Sequence, residues 1–172
     1  MNNIVLVGFM AVGKTTIGKS LKEILGYALF DIDKTVEKEE GCSIASIFEE
    51  KGEAYFRSRE RDVARMILAR NNNIVSTGGG LFMDEEIRTL ALKDNFVVFL
   101  DLNLREVYRR IRRNDLRPMA KSKSLKELRE LYEKRLPYYR KADIRIRTDH
   151  KSPNQVAEEI KTAYFKWLNK EL

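Results

Sequence analysis

Gly8-Phe9-Met10-Ala11-Val12-Gly13-Lys14-Thr15, with Thr16 directly behind, is a complete G-x-x-x-x-G-K-[ST] phosphate-binding loop. Its flanks have the order the motif needs. Asn3-Ile4-Val5-Leu6-Val7 is a short apolar run that reads as a buried strand. After the loop, Ile17, Leu21, Ile24 and Leu25 recur at helical spacing. Loop amides and a helix N-terminus then aim donors and positive dipole at one spot, which suits a polyanion. Lys14 adds a point charge for the β/γ-phosphates, and the Thr15 hydroxyl can ligate Mg²⁺. The motif specifies a nucleotide and leaves the reaction open.

Outward from the loop, apolar runs alternate with helical patterns. Strands are expected at 3–7, 28–31, 73–77, 96–101 and 143–147. Helices are expected at 14–25, 33–40, 43–50, 53–70, 83–92, 103–113, 124–141 and 152–170. This alternation predicts an α/β fold with a mostly parallel sheet covered on both faces, and ligands at the carboxyl ends of the strands. Asn103–Glu106 and Ser124–Glu127 resemble capping boxes, and Ser152-Pro153 puts a cap residue before a proline at the first helical position. Val156, Ile160, Ala163 and Trp167 share one helix face and read as core. No repeat or linker divides the 172 residues, so one domain spanning 1–172 is expected.

Hydrophobic residues at 43% and charged ones at 34% fit a soluble globule. The lone Cys42 excludes an internal disulfide and fits a reducing cytoplasm. No apolar stretch approaches a membrane span, and the N-terminus runs into strand without a basic leader, so neither membrane nor secretion is expected. The net charge of +7 suits anionic ligands. From Arg105 to Arg147 there are sixteen Lys/Arg against six Asp/Glu. Most of these read as solvated helix faces, and a few as phosphate contacts. The polar, basic connection Asn114–Ser124 has the length of a flap.

A second constellation follows. The second strand ends in Phe30-Asp31-Ile32-Asp33, and alternate residues of an extended segment share a side. One carboxylate can hold Mg²⁺ through water and the other can accept a proton from a substrate hydroxyl. Equally, Asp33 can simply cap the next helix. Arg57 and Glu60 are helix neighbours, so Glu60 can steady a guanidinium that grips a carboxylate with two bonds; a plain surface ion pair is the alternative. Ser76-Thr77 then leads into Gly78-Gly79-Gly80, which lets a ligand lie on backbone amides or forms an ordinary turn.

The ordered set of phosphate loop, Asp31-x-Asp33, Phe56-Arg57-x-x-Glu60, Gly78-Gly79-Gly80, Arg117-Pro118 and late Arg135 resembles the shikimate kinase family over nearly the full chain. The resemblance implies a three-layer P-loop kinase fold with a five-stranded parallel sheet in order 2-3-1-4-5, a substrate-binding region near 32–61 and a mobile lid near 112–124. It implies transfer of the ATP γ-phosphate to the 3-hydroxyl of shikimate, within aromatic amino-acid biosynthesis, by a cytoplasmic monomer with one Mg²⁺ and no nucleic-acid or membrane partner. By this resemblance Ala11, Val12, Gly13, Lys14, Thr15, Thr16, Arg110, Arg117 and Pro153 meet ATP. Thr15 and Asp31 serve the metal. Asp33, Arg57, Gly78, Gly79, Gly80 and Arg135 bind shikimate, and Lys14, Asp33 and Arg117 carry the catalysis. Pro153 also fits a capping role.

The chain departs from the family in places. Family members often carry Gly-Ser or Gly-Ala where Ala11-Val12 stand. Met119-Ala120 follow Arg117-Pro118 where two leucines are usual, and Pro137 can bend the late helix. Asp101 ends an apolar strand and reads as structural. The rivals are another small P-loop kinase, such as one for gluconate, and a nucleotide-controlled nucleic-acid binder using the basic second half.

Overall fold

The computed structural model describes residues 2–113 and 123–170. Arg117 and most of the expected lid lie outside them. Five strands, β1 (Ile4–Val7), β2 (Ala28–Asp31), β3 (Asn73–Ser76), β4 (Phe96–Asp101) and β5 (Ile144–Arg147), form one sheet in the order β2-β3-β1-β4-β5. Every pairing is parallel, as expected from the alternating pattern. β1, β3 and β4 are buried along their whole length because helices cover both faces. The edge strand β5 is partly exposed and carries Arg145 and Arg147 outward, charges that discourage further strand pairing.

The helices are α1 (Lys14–Leu25), α2 (Ile32–Glu40), α3 (Ile44–Leu68), α4 (Glu85–Asp94), α5 (Leu104–Arg113), α6 (Leu125–Tyr139) and α7 (Pro153–Leu168). The two helices expected at 43–50 and 53–70 form one run, α3, broken at Gly52, whose φ of 81° and ψ of 169° are not helical. Phe48 and Phe56 meet across that break with ring centroids 5.0 Å apart. The capping boxes at Ser124–Glu127 and Ser152–Gln155 are both formed, with Pro153 in the first turn of α7. The box expected at Asn103–Glu106 is not. The Asn103 amide donates instead to Asp149 at 3.0 Å, and Glu106 pairs with Arg109 and Arg110. Arginines one turn away competed successfully for that carboxylate. Pro137 sits inside α6, and the helix runs on to Tyr139.

The core fills both faces of the sheet. Ile17, Leu21, Val156 and Ile160 are among the side chains under 4% exposed. Asn3 is buried too, and its side chain bonds Asn73 and Asn95, tying the starts of β1, β3 and β4. The carboxyl ends of the strands are thereby left to bear the functional groups.

Candidate active site

The turn from β1 into α1 is built on left-handed backbone, with φ of 144° at Gly8, 59° at Ala11 and 100° at Gly13. Val12 is buried beneath the loop, 3.4 Å from where a Cβ on Gly8 would stand. The buried Lys14 side chain bends back along the loop, and its Nζ donates to the Gly8 and Phe9 carbonyls at 2.8 and 2.9 Å. Its ammonium is thus held against the backbone of the loop. Thr16 is exposed in the same first turn. Arg110, on α5, donates from Nη1 to the Ala11 carbonyl at 3.2 Å and is braced by Glu106 at 3.1 Å. Pro153 stands exposed at the cap of α7.

Also in the first turn of α1, the Thr15 hydroxyl donates to Asp31 Oδ2 at 2.5 Å, and Ser76 reaches the same oxygen at 3.4 Å. The β2–β3 register explains this, since Asp31 pairs with Ser76. The other oxygen, Oδ1, accepts from the Lys34 amide at 3.2 Å, which makes Asp31 the N-cap of α2. The cap offered to Asp33 in the sequence therefore belongs to Asp31. A hydroxyl and a carboxylate beside a phosphate-binding turn are hard oxygen donors of the kind Mg²⁺ takes. Among the described residues no three His, Cys, Asp or Glu side chains cluster as a metal cage.

Asp33 lies in the first turn of α2 and faces the glycine triplet after β3. A Cβ added at Gly78 would lie 2.6 Å from Asp33 Oδ1 and 2.5 Å from Glu60 Oε1. One added at Gly79 would lie 3.2 Å from Arg135 Nη1, and one at Gly80 3.3 Å from Arg57 Nη1. Three bare residues thus collect two carboxylates and two guanidinium groups that are far apart in sequence, and any side chain at Gly78 would have to displace both acids. Arg135 donates to the Gly79 carbonyl at 3.0 Å and lies over the ring of Phe9, its guanidinium carbon 5.7 Å from the centroid. Phe9 belongs to the phosphate loop, so triplet and loop are neighbours.

Glu60 is 1% exposed and accepts from Arg57 Nη1 at 2.5 Å. Burial pushes its carboxyl up, Arg57 pulls it down, and the nearby Asp33 charge pushes it up again, leaving it at about 7. Arg57 is also held by Glu53, at 3.1 Å. The ion pair is therefore no surface contact on its Glu60 side, although the Arg57 side chain remains 35% exposed.

Three neighbours escaped sequence reasoning. Tyr139 donates to the Gly79 carbonyl at 2.5 Å, with burial holding its hydroxyl protonated up to about 12. It lies four residues after Arg135 on α6, a spacing that places the two on one face. Ser76 is legible only from strand register. Arg88, buried on α4, donates to the carbonyls of Phe82 and Met83 at 3.3 and 3.0 Å and so braces the turn after the triplet. A helical arginine in a polar stretch gives no sign of that role. Asp101 is structural as expected. Its two oxygens are taken by Tyr132 at 2.8 Å and by Arg145 at 2.5 and 3.0 Å.

A parallel sheet in this order, with a lysine-bearing phosphate loop facing a separate cluster of paired arginines and carboxylates, defines a P-loop kinase of small molecules. The shikimate kinase family model matches residues 10–164. A shikimate kinase of Persephonella marina is 49% identical over 160 residues, covering 93% of this chain and 97% of that protein. The chain belongs to the shikimate kinase family. Among solved structures, shikimate kinase from Acinetobacter baumannii in complex with shikimate superposes with a TM-score of 0.90 at 32% identity, covering 99% of this chain and 94% of the other. The Aquifex aeolicus shikimate kinase gives 0.85 at 37%, covering 95% and 96%.

Proposed function

We infer that the chain transfers the γ-phosphoryl group of ATP to the 3-hydroxyl of shikimate, giving shikimate 3-phosphate and ADP. The observation that carries this is the meeting of Asp33, Glu60, Arg57 and Arg135 around Gly78-Gly79-Gly80, directly beside the phosphate loop. A compact acid with several hydroxyls matches two cations and an adjacent carboxylate.

In this reading Arg57 and Arg135 grip the acceptor carboxylate, and Gly79 and Gly80 let the ring lie against backbone. Asp33 accepts hydrogen bonds from ring hydroxyls and aligns the attacking one, taking its proton as the new bond to phosphorus forms. Lys14, the loop amides and Arg117 meet charge on the transferring group, and Arg110 and Pro153 flank the adenine. Mg²⁺, when bound by Thr15 and through water by Asp31, supplies neutralisation of the phosphate oxygens. The reading includes a monomer acting in the cytoplasm. No described helix is long and apolar enough to cross a membrane.

The decisive experiment measures ADP release with shikimate and with gluconate in parallel, with and without Mg²⁺. Turnover dependent on shikimate and on the metal is expected. Turnover with gluconate alone, or none beyond ATP hydrolysis, would overturn the reading.

A further inference from the structure

Asp33 and the pair Arg57–Glu60 sit on different helices, α2 and α3, so their spacing depends on how those helices are held together. Gly52 makes that a real question. It breaks α3 five residues before Arg57, and a Cβ built there meets nothing within 4 Å. No helical backbone hydrogen-bond geometry runs through Gly52, so the angle between the two flanking segments is set by side-chain contacts on either side of it.

Glu40, at the last position of α2, bonds to both segments. Its Oε2 accepts from Lys51 Nζ at 2.8 Å, on the near side of the break. From the far side Tyr55 donates its hydroxyl at 3.0 and 3.1 Å, and Arg59 Nε donates to Oε1 at 2.8 Å. Lys51 also lies 4.7 Å from the centroid of the Tyr55 ring. The Glu40 side chain is only 8% exposed. A carboxylate at a helix C-terminus opposes the helix dipole, so α2 does not favour it there by itself. Its place is explained by the three donors it gathers. The hinge is further tied by Phe48 against Phe56, and Glu37 accepts from the Ile44 amide at 3.0 Å.

We propose that Glu40 is a positioning residue for the acceptor site: by clamping both sides of the Gly52 break to α2, it sets the distance between Asp33 and the Arg57–Glu60 pair. It touches no reacting atom. The inference rests on the reading of Asp33 and Arg57 as acceptor-binding groups. Its signature is a selective one, because the phosphate loop is held by β1 and α1 and does not depend on this hinge.

The test compares Glu40→Ala and Glu40→Gln with the parent chain. Glu40→Ala raises the shikimate KM about tenfold, the scale of a lost supporting contact, and leaves the ATP KM within about twofold. Glu40→Gln keeps one acceptor oxygen for Tyr55 or Arg59 and recovers part of the loss. Amide hydrogen exchange over residues 45–56 quickens in Glu40→Ala, while that of β1 and β4 does not. Should Glu40→Ala fold poorly, Lys51→Met removes one strand of the clamp from an exposed position and moves the shikimate KM in the same direction. An unchanged shikimate KM, a parallel rise in the ATP KM, or unaltered exchange across the break overturns the proposal. A parent chain that ignores shikimate would sink the functional reading, and the exchange measurement would still decide this one.

Discussion

Asp33 and Glu60 aim carboxylate oxygens at the same point above Gly78, one from α2 and the other from α3. Burial raises the proton affinity of Glu60, and the Asp33 charge so close by raises it further. With the Asp33 charge beside it, the buried Glu60 carboxyl is raised to about 7.

That relationship has a consequence for stability. The Glu60 carboxyl is raised from its ordinary 4.5 to about 7 in the folded protein. The folded state therefore binds this proton more tightly than the unfolded chain does. The stabilisation is fully present below pH 4.5 and is lost as pH rises through about 7. Its size is about 3 kcal/mol, taken from the shift at 1.36 kcal/mol per unit. Denaturant unfolding of the parent and of Glu60→Gln between pH 4.5 and 8 checks this. The parent should lose stability relative to the variant as pH rises; a constant difference would show that Glu60 does not carry the shift.

Arg57 should govern the acceptor and not the nucleotide. Losing a charged two-bond partner costs about 2–4 kcal/mol. Arg57→Ala should accordingly raise the shikimate KM by at least about thirtyfold and leave the ATP KM nearly unchanged. Arg57→Lys restores the charge without the planar fork and should recover only part. Steady-state kinetics with each substrate varied in turn read the split. An unaltered shikimate KM in Arg57→Ala would remove the carboxylate clamp from the mechanism.

Ala11 carries a strain that a glycine would not. Its φ of 59° lies in the left-handed region, which costs a residue with a Cβ about 1 kcal/mol. The resemblance places glycine at this position in many family members, and the backbone explains that preference. Ala11→Gly should stabilise the protein by up to about 1 kcal/mol. Thermal or denaturant melting measures it. Equal or lower stability in the variant would mean that loop contacts already offset the strain.

The sequence carried the sheet well because its signals are local. Alternating apolar runs and helix patterns place β1, β4 and α1 almost to the residue, and Ser124 and Ser152 announce their helix starts. The capping box at Asn103 failed because Glu106 found arginines on its own helix and Asp149 took the Asn103 amide. Within the site, motif spacing brought Asp31, Asp33, Arg57, Glu60 and the glycines into view. What it could not supply was their meeting point. The Asp31–Ser76 pairing comes from strand register, the Asp33–Glu60 contact from the packing of two helices on a third element, and Arg88 from a turn it supports at a distance. None of these has a signature in one segment alone.

Asp31 has two duties, and a single substitution separates them. One oxygen caps α2 by accepting from the Lys34 amide, and the other meets Thr15 beside the phosphate loop. Asparagine caps helices about as well as aspartate but lacks the charge that attracts a divalent cation. Asp31→Asn should therefore unfold within about 0.5 kcal/mol of the parent, while the Mg²⁺ concentration giving half-maximal turnover rises about tenfold. Asp31→Ala should lose both, with an added destabilisation of about 1 kcal/mol from the missing cap. Titrating Mg²⁺ at fixed ATP and shikimate, alongside denaturant melts, reads the two effects separately. If Asp31→Asn left the metal requirement untouched, the carboxylate would be a cap alone, and Thr15 with the phosphates would suffice to hold the ion.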